Sequence, residues 1–316
     1  MANLKQLSKR PDTLAAGHRL CPGCGASMCV RQVLMGCPED VQPVVGCATG
    51  CLEVSTTIYP YNAWEVPFIH NAFENSAATI SGVESAFKAM QRKGKIDPNK
   101  KFKFVAFGGD GGTYDIGLQS LSGAMERGHD MVYVCYDNGA YMNTGIQRSS
   151  ATPKGAWATT AEVGKAQSGK VQGRKDLASI IAAHGIPYVA QSTVGHWKDL
   201  VGKAEKAFAV DGPAFLNVLS PCPRGWRSAD DISAEICRVA VNSKYWPLFE
   251  VEGGVWKVTP VKENKACDVE EFLRPQGRFK HVFKPENANL LEEIKQDVEN
   301  YWEYLQAMVR ATNPQE

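Results

Sequence analysis

Five short apolar runs recur along this chain, alternating with stretches of helical periodicity, and that alternation restricts the fold more than any other feature. The runs are Val41 to Val45, Phe102 to Phe107, Met131 to Tyr136, Pro187 to Ala190 and Ala214 to Leu219. Each is bounded by Gly, Pro or Asp and has no polar face, as strands covered on both sides should be. Helical patterns fill roughly Glu74 to Arg92, Asp115 to Arg127, Leu177 to His184, Trp197 to Phe208 and Asn289 to Ala311. The pattern implies the α/β class, with a doubly wound, mostly parallel sheet and a C-terminal helical extension. The sheet is expected to end near residue 222. That divides the chain into an α/β domain, 1–222, and an extension, 223–316, expected to pack on partner subunits. The stretch Thr144 to Arg174 has no clear period, and a loop of that length is expected to be functional or partner-bound.

Charge points to no polyanionic partner. Lys and Arg total 35 and Asp and Glu 34, so no basic surface is expected for nucleic acid. Residues Met1 to Arg10 are too polar for a secretory signal, and no apolar run reaches the ~18 residues of a membrane span. A cytoplasmic protein without a membrane partner is expected.

Cysteine is the informative residue type. Of ten cysteines, six fall between positions 21 and 51: Cys21, Cys24, Cys29, Cys37, Cys47 and Cys51. In a reducing compartment such a cluster points to a metal or to catalysis rather than to disulfides. Cys135 sits inside a strand-like run and reads as a small buried hydrophobe. Cys29, Cys37, Cys237 and Cys267 lack ligand-like spacing and read the same way.

Two motifs carry chemistry. In the first, the strand-like Phe104-Val-Ala-Phe runs into Gly108-Gly109-Asp110-Gly111-Gly112, followed by helix-like sequence. Glycines let backbone amides approach phosphate oxygens, and a following helix start favours negative charge. A dinucleotide fingerprint fails because Tyr114 stands where the third glycine belongs, and a Walker loop fails for lack of Gly-Lys-Ser/Thr. What remains is an Asp at a strand end, able to hold a hard divalent cation. Asn138, ending the next strand, is its natural complement. The interval resembles the thiamine-diphosphate fingerprint, by which Asp110, the Asn138 side chain and the Ala140 carbonyl would bind Mg²⁺.

In the second motif Cys21-Pro-Gly-Cys24 forms a C-x-x-C knuckle, Cys51 closes Ala48-Thr-Gly-Cys, and Cys222 lies in Ser220-Pro-Cys-Pro. Four thiolates from loops suit tetrahedral Zn²⁺ or a 4Fe–4S cluster, and spacing does not decide between them. Cys47 and Cys51 could complete a local zinc knuckle, and a lone C-x-x-C could be a redox dithiol.

Taken with Tyr136-Asp-Asn, Tyr141-Met-Asn-Thr-Gly-Ile-Gln-Arg148 and Gln276-Gly-Arg-Phe-Lys-His281, these blocks resemble the β subunit of the 2-oxoacid:ferredoxin oxidoreductases. The resemblance spans residues 18 to about 281, in family order. It implies a thiamine-diphosphate-binding fold and a 4Fe–4S cluster on Cys21, Cys24, Cys51 and Cys222, with Cys47 beside it. It implies cofactor contacts from Gly109, Asp110, Gly111, Gly112, Asn138, Ala140, Cys24, Gly25, Thr49, Gly50, Asn143 and Thr144. Asn143 is the implied catalytic residue, its neutral amide donating to a substrate carboxylate or oxyanion. The cofactor would serve as electron sink and the cluster would take electrons one at a time. Glu74 and His70 are not expected to be catalytic: Glu74 reads as a helix start, and in this family the thiamine-activating Glu belongs to a partner. α/γ-type subunits, a ferredoxin-like subunit with further clusters, and ferredoxin as acceptor are the implied partners.

Two departures from the family pattern bear on substrate. Ala26 follows Cys24-Gly, and Gly139 follows Asn138, where pyruvate-type relatives usually carry Glu. Losing two carboxylates from a low-dielectric pocket favours a more anionic substrate. The expectation is therefore an oxalate oxidoreductase β subunit, yielding two CO₂, with a pyruvate:ferredoxin oxidoreductase using coenzyme A as the alternative. A non-catalytic zinc-binding scaffold is a remote third.

Overall fold

The computed structural model describes residues 3–313. Eight strands form one sheet: β1 (Val41–Ala48), β2 (Phe68–Asn71), β3 (Lys101–Gly109), β4 (Met131–Asp137), β5 (Tyr188–Thr193), β6 (Ala214–Leu219), β7 (Phe249–Glu252) and β8 (Val255–Val258). Their spatial order is β2-β1-β3-β4-β6-β5-β7-β8. The first six pair in parallel, while β7 joins β5 antiparallel and turns back through a hairpin to β8. This is a mostly parallel α/β sheet, as the alternation requires.

The central strands are apolar throughout because both faces are covered. Along β4, Val132, Val134 and Tyr136 enter one core while Met131, Tyr133 and Cys135 enter the other. The first core is closed by helices α1 (Gly25–Leu34), α2 (Cys51–Thr56), α6 (Trp197–Ala209) and α7 (Ser233–Asn242). The second is closed by α3 (Ser76–Arg92), α4 (Leu118–Glu126) and α5 (Leu177–Ala182). The last helix, α8 (Ala288–Thr312), spans both, with Ile294 in the first core and Leu305 in the second. Each large apolar side chain so buried is worth about 1.5–3 kcal/mol.

The sheet does not end near residue 222. The β7–β8 hairpin extends it, with Gly253 and Gly254 both at positive φ in the turn. Phe249, Val251 and Trp256 face inward while Glu252 and Lys257 face solvent. Residues after 222 thus complete the same sheet, and Thr312 Oγ1 at the end of α8 accepts the Trp256 backbone N–H at 3.0 Å.

Candidate active site

Parallel pairing brings the C-terminal ends of the strands to one rim, the place where open α/β sheets hold ligands. Gly109 of β3 lies opposite Tyr136 of β4, and Asp137 lies opposite Leu219 of β6. The residues that follow these strands and β1 therefore meet: Thr49-Gly50-Cys51, Asp110-Gly111-Gly112, Asn138-Gly139-Ala140 and Ser220-Pro221-Cys222. Thr49, Gly50, Cys51, Gly109, Gly111 and Gly112 line one cleft together with Asn138, Ala140, Asn143 and Thr144.

Asp110 is completely buried at the cleft's base. Its Oδ1 accepts the Asn138 backbone N–H at 3.2 Å, and its Oδ2 accepts the Ser149 hydroxyl at 2.5 Å. Burial, and then the charge of Asp137, push its pKa up to about 7. One end of the Asn138 amide lies 2.9 Å from Asp110 Oδ1 and 3.0 Å from the Ala140 carbonyl. With oxygen at that end, three oxygens converge, an arrangement a divalent cation relieves. With nitrogen there, the same contacts become two hydrogen bonds.

The glycines around Asp110 have a steric reason. A Cβ on Gly111 would stand 2.4–2.5 Å from the ring of Tyr141, so any side chain would displace the loop carrying Asn143. Gly112 begins a π-helical turn, Gly112–Ile116, ahead of α4. Asn143 and Thr144 sit exposed on a tight loop pinned by reciprocal backbone hydrogen bonds between Tyr141 and Gln147 of 2.9 and 3.1 Å.

The cysteine loops pack against one another. Gly25 donates its N–H to the Pro221 carbonyl at 2.8 Å, docking the C-x-x-C knuckle on the Cys222 segment. Cys51 is the first residue of α2, directly after the N-cap Gly50. Burial raises the Cys51 pKa to about 12, and the thiols of Cys222, Cys24 and Cys21 add to the rise. Cys24 is raised to about 11, by burial first and by Cys222 and Cys21 after it. The Cys222 sulfur accepts the Gly225 N–H at 3.3 Å. Among the described residues no three His, Cys, Asp or Glu side chains converge closely enough to grip a single ion. Cys47 is fully buried in the first core beside this corner.

Other residues lie where no spacing pointed. Arg174, from the long loop, reaches the buried Asp137 and donates to Tyr114 Oη at 2.6 Å and the Ala151 carbonyl at 2.9 Å. Trp226 Nε1 donates to the Asn138 carbonyl at 2.7 Å, and Arg278 of the Gln276–His281 block stacks 4.5 Å from the Trp226 ring. Tyr136 Oη is buried without a protein partner, 2.7 Å from where a Gly50 Cβ would stand. Glu74 is exposed ahead of α3, and the His70 Nε2 meets Thr49 Oγ1 at 3.0 Å and Glu53 Oε2 at 3.5 Å.

A family profile described as the thiamine pyrophosphate enzyme C-terminal TPP binding domain matches residues 45–218. The chain is 54% identical to the pyruvate synthase subunit PorB of Thermotoga maritima, covering 98% of this chain and 97% of that one. It belongs to the β-subunit family of the 2-oxoacid:ferredoxin oxidoreductases. This β subunit is also 45% identical to PorB of Pyrococcus furiosus, with 96% of each chain covered. To the ketoisovalerate oxidoreductase subunit VorB of the same organism it is 44% identical, over 93% of this chain and 92% of that one. A solved 2-oxoglutarate:ferredoxin oxidoreductase from Magnetococcus marinus shares the fold, with a TM-score of 0.56 at 20% identity, covering 72% of this chain and 79% of that one. The rim of this β subunit is thus the cleft of a thiamine-diphosphate-binding fold in an oxidoreductase family. Among its described residues no helix is long and apolar enough to cross a membrane.

Proposed function

We propose that this chain is the β subunit of a pyruvate:ferredoxin oxidoreductase, oxidatively decarboxylating pyruvate with coenzyme A and delivering electrons singly to ferredoxin in the cytoplasm. One observation carries the reading: Cys51, Asp110, Asn138 and Cys222 meet on one rim in a chain 54% identical to a pyruvate synthase subunit over nearly its whole length.

The residues present fit the groups this activity needs. Asp110 Oδ1, the Asn138 amide oxygen and the Ala140 carbonyl make an oxygen set suited to Mg²⁺. Gly109, Gly111 and Gly112 put bare backbone on the cleft wall, which a diphosphate can approach closely, and Thr49, Gly50, Asn143 and Thr144 line the rest of the cleft, with Cys24 and Gly25 at the adjoining corner. Thiamine diphosphate, when bound, supplies the electron sink for decarboxylation. Asn143 at the cleft's mouth offers the substrate a neutral amide donor.

Cys21, Cys24, Cys51 and Cys222 would hold a 4Fe–4S cluster. Four thiols carried to one corner of the fold by three loops suit an iron–sulfur core larger than a single ion. None of the described residues that line the cleft is a carboxylate, and α/γ-type partners would supply the activating Glu. The outer face of 223–316 would meet those partners, and a ferredoxin-like subunit would take the electrons onward.

The oxalate expectation gives way to its alternative. Of the relatives named above, most are pyruvate synthase subunits and none is an oxalate enzyme, and one of the two missing carboxylates has a local explanation. Gly139 has φ +77°, and a Cβ there would stand 3.0 Å from Arg278 Nη1. Ala26 is buried in the first turn of α1, its backbone N–H hydrogen-bonded to Cys24. Backbone conformation accounts for Gly139 without reference to substrate charge, and nothing in the structure explains Ala26.

The test is an anaerobic viologen-reduction assay of the complex purified with this chain. Its arms are pyruvate with coenzyme A, 2-ketoisovalerate with coenzyme A, and oxalate without it. The highest kcat/KM is expected with pyruvate. A higher value with either other substrate would overturn the assignment.

A further inference from the structure

Ser149 is fully buried on the long loop, one residue past the Tyr141–Arg148 block, and its hydroxyl meets the carboxylate at the base of the cleft. Its hydrogen bonding is directional. Ser149 Oγ accepts the Ala151 N–H at 3.2 Å. The Thr152 hydroxyl lies 3.4 Å away, but its proton is committed to the Gly139 carbonyl at 2.8 Å. The Ser149 proton therefore goes to Asp110 Oδ2, at 2.5 Å. Thr152 Oγ1 in turn accepts the Ser149 backbone N–H at 2.9 Å, so the donor is held from both sides.

The consequence falls on the other carboxylate oxygen. Both carboxylate oxygens accept a hydrogen bond, but Oδ2 is turned to Ser149 while Oδ1 is turned to the Asn138 amide end, which lies 2.9 Å from it and 3.0 Å from the Ala140 carbonyl. Magnesium is small and takes single oxygens in a near-octahedral shell, whereas calcium accepts six to eight oxygens and readily takes both from one carboxylate. A donor fixed on Oδ2 therefore favours the smaller ion. We infer that Ser149 is a specificity-determining positioning residue that restricts Asp110 to one-oxygen coordination and so selects Mg²⁺ over Ca²⁺ at this site. The inference rests on the Mg²⁺ assignment above and adds to it the residue that sets the choice of ion.

The test uses the whole complex, stripped of divalent cations by a chelator, supplied with thiamine diphosphate and titrated calorimetrically with Mg²⁺ and separately with Ca²⁺. Ser149→Ala removes the donor, and Ser149→Cys weakens it while nearly keeping the volume. Outer-shell partners of metal ligands typically carry about 10- to 100-fold in affinity. Both variants should lose Mg²⁺ affinity in that range while Ca²⁺ affinity changes by less than about 3-fold, narrowing the preference. Unchanged Mg²⁺ affinity, or equal losses for both ions, would overturn the inference and leave the metal site standing. No Mg²⁺ binding by the unaltered complex would remove the metal site and the inference together.

Discussion

The Asp137 carboxylate, completely buried at the end of β4, accepts hydrogen bonds from both terminal nitrogens of Arg174, which lies 37 residues further along the chain. Asp137 also accepts the Gly139 N–H at 3.1 Å, which shapes the turn presenting Asn138 and Ala140. The guanidinium is held over the Trp246 ring at 4.6 Å and bonds Tyr114. One ion pair thus ties the long loop to the strand end that frames the cleft.

Arg174→Leu should leave Asp137 as an uncompensated buried charge, which costs about 3–5 kcal/mol. A lowered denaturation midpoint is expected, with the double variant Asp137→Asn, Arg174→Leu recovering part of the loss. A single Arg174→Leu variant within about 0.5 kcal/mol of the parent would show that the pair is solvated rather than structural.

What was legible in the sequence follows from what each signal encodes. The run Ala214 to Leu219 is β6 residue for residue, because strands buried on both faces leave an unbroken apolar stretch. β2 is four residues long, half-buried to exposed at the sheet edge, and leaves no such run. The β7–β8 hairpin did carry a signal in Gly253-Gly254, but it was hidden by the acidic residues alternating on its outer face. Asp110 and Asn138 were legible because adjacent parallel strands bring their ends together. Ser149 and Arg174 were not, because their loop has no periodicity and only the tertiary fold delivers them to Asp110 and Asp137.

Serine at Cys24, Cys51 or Cys222 should lower the brown iron–sulfur absorbance and the iron content of the purified complex by the share of one 4Fe–4S cluster per β subunit, leaving the ferredoxin-like subunit's clusters in place. Cys29→Ser should keep both, since Cys29 is a fully buried core residue. Stoichiometric zinc per β subunit in the unaltered complex, with iron and absorbance unchanged by the serine variants, would contradict the cluster assignment.

Two glycines should answer oppositely to alanine. Gly111→Ala drives a methyl into the Tyr141 ring and should weaken thiamine diphosphate binding by at least about 10-fold in a calorimetric titration. Gly82 is exposed within α3 with nothing within 4 Å of a Cβ. Gly82→Ala should therefore stabilise the chain by about 0.5–1 kcal/mol through helix propensity. A stabilising Gly111→Ala would mean that the Tyr141 loop can move aside.

Lys170 should give stability a distinctive pH dependence. Its Nζ donates to the carbonyls of Ser150, Thr152 and Gly173, while burial, then the charges of Arg148 and Arg174, lower its pKa from 10.5 to about 8. Between those values the unfolded chain holds the proton and the folded chain does not, so this group makes folding more favourable as pH rises. Below about pH 8 both states are protonated, and its contribution is flat and unfavourable. Denaturant midpoints of the parent minus those of Lys170→Met, taken from pH 7 to 10, should rise above pH 8. A difference that stays level or falls across that window would place the Lys170 pKa near its ordinary value, with the ammonium held by its three carbonyl acceptors.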